Sequence, residues 1–272
     1  MYSVLIPVDR DAARASNQAR YVSRLPDATE TVEATVLYVV PPDDFADADQ
    51  VAFDEIDAAV RAAEHLDEAG ISVTRRVDDG GVARQILRTA TELDSDEIVV
   101  GGRKRSGVSK VLLGSTAQDV LLSADRPVTI TGADVVLGEG IRRVLVPVDT
   151  SEERARNQAE YLSSLPNARE SVEATVLFVF PHQDYKGAPP HEFEEVDAAV
   201  TAAEYLEAEG IPVERVAVGG EVGEKILDAA TERDVDSIVM GGRKRSSITN
   251  VLLGSTTQDI MLTAERPVTL TG

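Results

Sequence analysis

The sequence predicts two tandem α/β domains, each built around a five-stranded, mainly parallel sheet. Two observations carry that expectation. Adding 140 to a residue number maps one half of the 272-residue chain onto the other without a gap, Asp9 onto Asp149, Pro26 onto Pro166, Gly70 onto Gly210, Gly101 onto Gly241 and Gly114 onto Gly254, with more than half of the aligned positions identical. Within each half, short β-branched runs alternate with helically spaced apolar positions, the order that gives a parallel sheet covered on both faces. The period is far too long for a solenoid. The halves are therefore duplicated domains, 1–132 and 141–272, with 133–140 as a linker.

In the first copy, Ser3 to Val8 is an apolar strand closed by Pro7-Val8-Asp9. Ala15, Ala19, Val22 and Leu25 then fall at helical spacing until Pro26 ends the run. Val32 to Val40 is a long strand stopped by Pro41-Pro42, and the acidic stretch Asp43 to Gln50 is a loop, one of the places where the copies diverge most. Phe53, Ile56, Val60, Ala63 and Leu66 share one helical face, with Gly70 placed to cap it. A third strand runs from Ile71 to Val77, a helix carries Ile86, Leu87 and Ala90, and a fourth strand ends at Gly101. After a basic loop, a helix spans Ser115 to Ala124 and a fifth strand Pro127 to Thr131. The second copy repeats the order.

Composition narrows the partners. Acidic residues outnumber basic ones 48 to 27, for a formal net charge of −21 and a pI near 4.5. Such a field repels nucleic acid and anionic membrane surfaces. With 43% hydrophobic residues the cores are well supplied, so the acidity belongs on the surface, as expected of a halophile's protein in a high-salt cytoplasm or, more plainly, of an ordinary acidic bacterial protein. Cysteine is absent and the three histidines do not cluster, which removes disulfides, thiolate chemistry and a histidine metal site. No apolar run approaches a membrane span, and the first residues enter a strand directly rather than a signal peptide. The expected location is cytoplasmic.

The chemistry concentrates in one stretch that occurs twice. Ile98 to Thr116 and Ile238 to Thr256 each run from a strand into two glycines, a basic loop (Arg103, Lys104, Arg105, Ser106; Arg243, Lys244, Arg245, Ser246) and a Gly-Ser-Thr helix start. Cations beside glycines and a helix N-terminus make an anion site, because the first N–H groups of a helix are unpaired and its dipole end is positive. Parallel sheets bind ligands outside the carboxyl ends of their strands. Asp9 and the basic loop follow two such ends, so if those strands are neighbours they flank one crevice. The Rossmann G-x-G-x-x-G is absent after the first strand, and the Walker loop fails because Val108 stands where its lysine is required.

What remains resembles the universal stress protein family, in a tandem form of haloarchaeal type, over the whole of both repeats. The family pattern is G-x-x-G, nine residues, then G-[ST]; Gly101, residues 105–113 and Gly114-Ser115 fit it, as do Gly241, residues 245–253 and Gly254-Ser255. The resemblance implies Rossmann-like α/β sandwich domains of adenine-nucleotide-binding type, joined as an internal pseudo-dimer through Val128–Thr131 and Val268–Thr271. It also implies an ATP or AMP site, optionally with Mg2+. Adenine would lie against Asp9 or Asp149, beside Pro7 or Pro147 and near Val39 or Val179. The phosphates would lie on Gly101, Arg103, Lys104, Gly114, Ser115 and Thr116, or on Gly241, Arg243, Lys244, Gly254, Ser255 and Thr256.

One departure stands out. The second motif glycine is Lys104 in one copy and Lys244 in the other. That side chain either obstructs the phosphates or neutralises them. The two outcomes correspond to two functions. One is a stress-response regulator that binds an adenine nucleotide and signals to a protein partner through the loops 43–50 and 183–191. The other is an interaction scaffold of the same fold with closed pockets. Asp9 and Asp149 also have a plainer reading, as N-caps of the following helix. The site offers no nucleophile–base couple, so the most chemistry expected of it is slow ATP hydrolysis; the family resemblance further implies self-phosphorylation on Ser115, Thr116, Ser255 or Thr256.

Overall fold

The computed structural model describes residues 1–42, 47–104, 111, 112, 114–132, 140–181, 192–242 and 254–272. Two compact units emerge, Met1–Leu137 and Gly138–Gly272.

The first unit contains β1 (Tyr2–Val8), α1 (Ala12–Ser23), α2 (Ala28–Thr31), β2 (Val32–Val40), α3 (Asp57–Glu68), β3 (Ser72–Asp79), α4 (Val82–Glu92), β4 (Glu97–Gly101), β5 (Arg103–Lys104), β6 (Val111–Leu112), α5 (Ser115–Ser123) and β7 (Val128–Thr131). Its main sheet has the order β7-β4-β1-β2-β3, every pair parallel. The chain moves outward from β1 to β2 to β3, then returns to the other side of β1 for β4 and β7. Right-handed crossovers therefore set α1 and α3 on one face and α4 and α5 on the other. Accordingly α1 packs on α3, and α4 on α5. The strands are buried because both faces are covered; Val4, Leu5, Ile6, Val36, Leu37, Ile98 and Val99 are at 0% exposure.

The second unit repeats this plan. Its elements are β8 (Arg142–Val148), α6 (Glu152–Ser164), α7 (Ala168–Ser171), β9 (Val172–Phe180), α8 (Asp197–Ala208), β10 (Val213–Gly219), α9 (Val222–Glu232), β11 (Ser237–Gly241), α10 (Ser255–Thr263) and β12 (Val268–Thr271). The order β10-β9-β8-β11-β12 is again parallel throughout.

Local departures from the expected elements have local causes. Phe53 does not belong to the helix proper: Phe53–Glu55 is a 3-10 turn and α3 begins at Asp57. The loop after Pro41-Pro42 ends in a second 3-10 turn, Ala48–Gln50, closed by a reciprocal Asp47–Gln50 capping box. The short helix α2 follows Pro26, where Asp27 adopts a left-handed φ of 47°, and Asn167 does the same before α7; Asp and Asn tolerate that conformation best after glycine. Arg103 and Lys104 are not in an open loop but form β5, antiparallel to β6, at the base of a small hairpin. The remainder of the basic loop, 105–110, and all of 243–253 lie outside the described residues, as do 43–46 and 182–191 of the divergent loops.

One buried polar cluster separates the units chemically. Glu97 on β4 is at 0% exposure. It accepts hydrogen bonds from Tyr2 Oη at 2.9 Å, Tyr21 Oη at 3.1 Å and Thr129 Oγ1. In the second unit Ser237 takes the place of Glu97 and buried Arg142 that of Tyr2, with Arg142 Nε 3.4 Å from Ser237 Oγ. Truncating the carboxylate strands three buried hydroxyl donors. Glu97→Ala should therefore lower the stability of the first unit by about 2 kcal/mol or more, while Ser237→Ala changes stability less; urea unfolding at fixed salt measures both.

Candidate functional site

The order of strands reverses between β1 and β4, and there the ladder stops early. Only Val4–Glu97 and Leu5–Ile98 are in register; beyond them the two strands part. Pro7 explains part of this, since it has no N–H to donate across the gap. The side chain of Gln18, from α1, spans the opening instead. Its Nε2 donates to Pro7 O and to Val99 O, each at 2.8 Å. Gln158 does the same in the second unit, to Pro147 O at 2.9 Å and Val239 O at 2.8 Å. Polar side chains inside a helix face are costly unless so paired, and Gln18 is 2% exposed.

Over this opening in the first unit lies a cavity of about 830 Å3. Its wall includes seven of the residues singled out from sequence: Pro7, Asp9, Val39, Gly101, Gly114, Ser115 and Thr116. A crevice at the switch point of a parallel sheet is where such folds take ligands. At one side, α5 begins at Ser115 with Gly114 as N-cap and no side chain capping it, nor any acidic residue in its first turn. Its first N–H groups are left for solvent or an anion. At the other side, Asp9 follows β1.

Asp9 is not the helix cap. That role belongs to Asp11, which accepts from Ala13 N at 3.0 Å and Arg14 N at 3.1 Å, and in the second unit to Ser151. Asp9 Oδ1 accepts instead from Asp11 N at 2.9 Å, and Oδ2 is paired with the Arg14 guanidinium. Arg14 also reaches Asp11 Oδ2 at 3.1 Å. The cation on Asp9 thus comes from α1, one helical turn after the strand. In the second unit Arg154 Nε and Nη2 lie 2.9 and 2.6 Å from Asp149 Oδ2.

Gly101 is required by its neighbours. A Cβ there would lie 3.1 Å from Arg14 Cβ, 3.2 Å from Gln18 Oε1 and 3.3 Å from Arg14 Cδ. At Gly241 the corresponding distances, to Arg154 Cβ and Gln158 Oε1, are 3.0 and 3.2 Å. In the structure the close approach to this glycine is by the stem of Arg14. Neither Arg14 nor Gln18 is singled out by motif, although both recur at the 140-residue offset as Arg154 and Gln158.

In the second unit, Pro147 and Asp149 end β8, Val179 lies late in β9, Gly241 ends β11, and Gly254 caps the start of α10 at Ser255-Thr256. For Arg103 and Lys104 the structure gives backbone placement only, and Arg243 and Lys244 lie outside the described residues. The first unit also differs at the wall. Arg10 Nε donates to Tyr38 Oη at 3.0 Å, whereas Thr150 and Phe178 occupy those positions in the second unit.

A serine and a histidine meet elsewhere, between α1 and α3, with Ser23 Oγ 3.1 Å from His65 Nε2. The Ser23 hydroxyl already donates to Arg20 O at 3.0 Å. His65 therefore donates to Ser23 rather than activating it. Burial, and then the nearby Arg20 guanidinium, push the His65 pKa below the usual histidine value.

The packing of Gly101 gives a signed expectation. Gly101→Ala forces Arg14 and Gln18 to move and should cost about 1–3 kcal/mol. Gly223→Ala, in α9, meets nothing closer than 3.5 Å and should stabilise by up to about 1 kcal/mol. Thermal unfolding of the two variants distinguishes the signs.

Comparison with known proteins identifies the family and the fold. The sequence model of the Universal stress protein family matches residues 1–132 and 140–272. A universal stress protein of Mycolicibacterium smegmatis is 40% identical over 65 residues, which is 24% of this chain and 50% of that protein, so the match spans about half the length of that relative. Among solved structures, a universal stress protein from Archaeoglobus fulgidus is 24% identical, with a TM-score of 0.72 over 99% of this chain and 98% of that one. A functionally unknown protein from Pseudomonas aeruginosa is 16% identical, with a TM-score of 0.65 over 100% of this chain and 92% of that one. At these identities the solved structures establish the shared fold.

Proposed function

Since the chain belongs to the universal stress protein family, we propose that it is a regulatory protein that binds ATP or another adenine nucleotide in the cavity of its first unit, and at the matching residues of its second. The observation that carries this reading is the convergence of Pro7, Asp9, Val39, Gly101, Gly114, Ser115 and Thr116 on one wall, with the uncapped start of α5 among them. A carboxylate acceptor at one end and an open helix N-terminus at the other match a purine's donor and a phosphate's charge.

In this reading Asp9 and Asp149 face the base, and the Gly-Ser-Thr helix starts take the phosphates, aided by the cations that follow Gly101 and Gly241. Asp9 and Asp11, the two carboxylates on the cavity wall, both face Arg14, so any Mg2+ enters with the phosphates rather than on a protein cage. Occupancy alters a surface read by a protein partner, and the pairing of the repeats through Val128–Thr131 and Val268–Thr271 belongs to the same proposal. No group on the wall forms a nucleophile–base couple among the described residues, and the reading is of binding and signalling rather than turnover.

The test is the nucleotide content of protein purified in high salt and then denatured, with the released material separated by chromatography. Near-stoichiometric adenine nucleotide, lost in the Asp9→Ala, Asp149→Ala double variant, is the expected result. A protein that is empty and also fails to bind added ATP would overturn the reading in favour of a closed scaffold of the same fold.

A further inference from the structure

The cation that holds Asp9 has a second consequence, which rests on the nucleotide reading above. The stem of Arg14 crosses the face of Gly101, with Cβ and Cδ 3.1 and 3.3 Å from where a side chain would begin. Its guanidinium ends on Asp9 and Asp11. Arg14 thus lies between the two parts of the wall, the acceptor after β1 and the glycine at the end of β4. Both oxygens of Asp9 are already engaged, one by the Asp11 amide and one by Arg14. A ligand donor that approaches Asp9 must compete with a full positive charge.

We propose that Arg14, and Arg154 in the second unit, is a specificity-determining latch that makes the site respond to phosphorylated nucleosides and not to nucleosides. In the closed form the guanidinium neutralises Asp9. A phosphate arriving over Gly101 and the start of α5 offers the guanidinium a better partner, because its planar fork matches phosphate oxygens in pairs. When Arg14 moves to the phosphate, Asp9 is released to accept from the base. One side chain couples recognition at the two ends of the ligand. A nucleoside without phosphate has nothing to draw Arg14 away and must break the Arg14–Asp9 pair uncompensated. The coupling energy is the difference in affinity of the ligand for the open and closed arrangements.

The two units hold their latches by different contacts. Arg14 is shared by two carboxylates, Asp9 and Asp11. Arg154 has Asp149, but Ser151 replaces the second carboxylate and accepts only from the Arg154 backbone, at 3.4 Å.

Titration calorimetry with ATP, AMP and adenosine, at one fixed ionic strength, tests this on the full chain and two double variants. The first is Arg14→Met with Arg154→Met; the second, Arg14→Lys with Arg154→Lys, keeps the charge and loses the fork. The wild type should bind AMP about tenfold or more tightly than adenosine, the size of one charge-assisted contact. In the methionine pair adenosine should bind more tightly than to wild type, and the AMP-to-adenosine ratio should fall towards one. The lysine pair should give an intermediate ratio. An unchanged ratio in the methionine pair, or adenosine weakened in step with AMP, overturns the latch. A purely structural role for Arg14 would move both ligands together. If the methionine pair gives no cooperative melting transition, the lysine pair decides alone: a ratio below wild type supports the latch and an unchanged one overturns it. A chain that binds none of the ligands in any form removes the nucleotide reading itself, and the latch with it. Binding of ATP and AMP that appears only in the methionine pair keeps that reading but overturns a latch that phosphate opens.

Discussion

The parting of β1 from β4 is the constraint on which the rest of the unit depends. A parallel sheet that grows outward from β1 in two directions must leave a gap at the reversal, and a gap in the middle of a sheet exposes backbone carbonyls that need partners. Pro7 carries no N–H with which to extend the ladder, and Gln18 donates to both freed carbonyls. The same helix turn that delivers Gln18 also delivers Arg14, four residues earlier and on the same face. Opening the sheet, bridging it and placing a cation on Asp9 are thus one arrangement of α1 over the strand ends. Gly101 is the concession that lets α1 sit so close.

Much of the fold was legible because the signals were repeated. Alternating apolar runs, the proline stops at Pro26 and Pro41, and the exact 140-residue offset gave the strand and helix order. Strand boundaries shifted by a residue or two, as they do when hydrogen bonding rather than hydropathy sets the end. In sequence the turn at Phe53 is indistinguishable from helix, because a 3-10 turn before a helix keeps an apolar side chain close to the helical face; only the backbone pattern separates the two.

The site was legible in its glycines and its acid, and illegible in what engages them. Asp9, Gly101 and Gly114 carry motif spacing. Arg14 and Gln18 carry none, and a helix with Ala15, Ala19 and Val22 on its buried face gives no reason to bring a guanidinium and an amide beside them. Their recurrence as Arg154 and Gln158 was a usable signal, since polar residues on a buried helix face are retained through a duplication only where something pairs with them. Two of the differences between the repeats come in matched sets: Tyr2 with Glu97 against Arg142 with Ser237, and Arg10 with Tyr38 against Thr150 with Phe178. Each set exchanges both partners of a contact, and the second of them changes the chemistry of the wall at Tyr38.

The most direct test of the account is a crystal structure of the full chain grown with ATP at high salt. The account predicts density in the first unit running from Asp9 to the start of α5, with the phosphates at Ser115 and Thr116. A well-ordered crystal with that cavity filled only by solvent, or with the nucleotide bound away from Asp9 and Ser115, would contradict it.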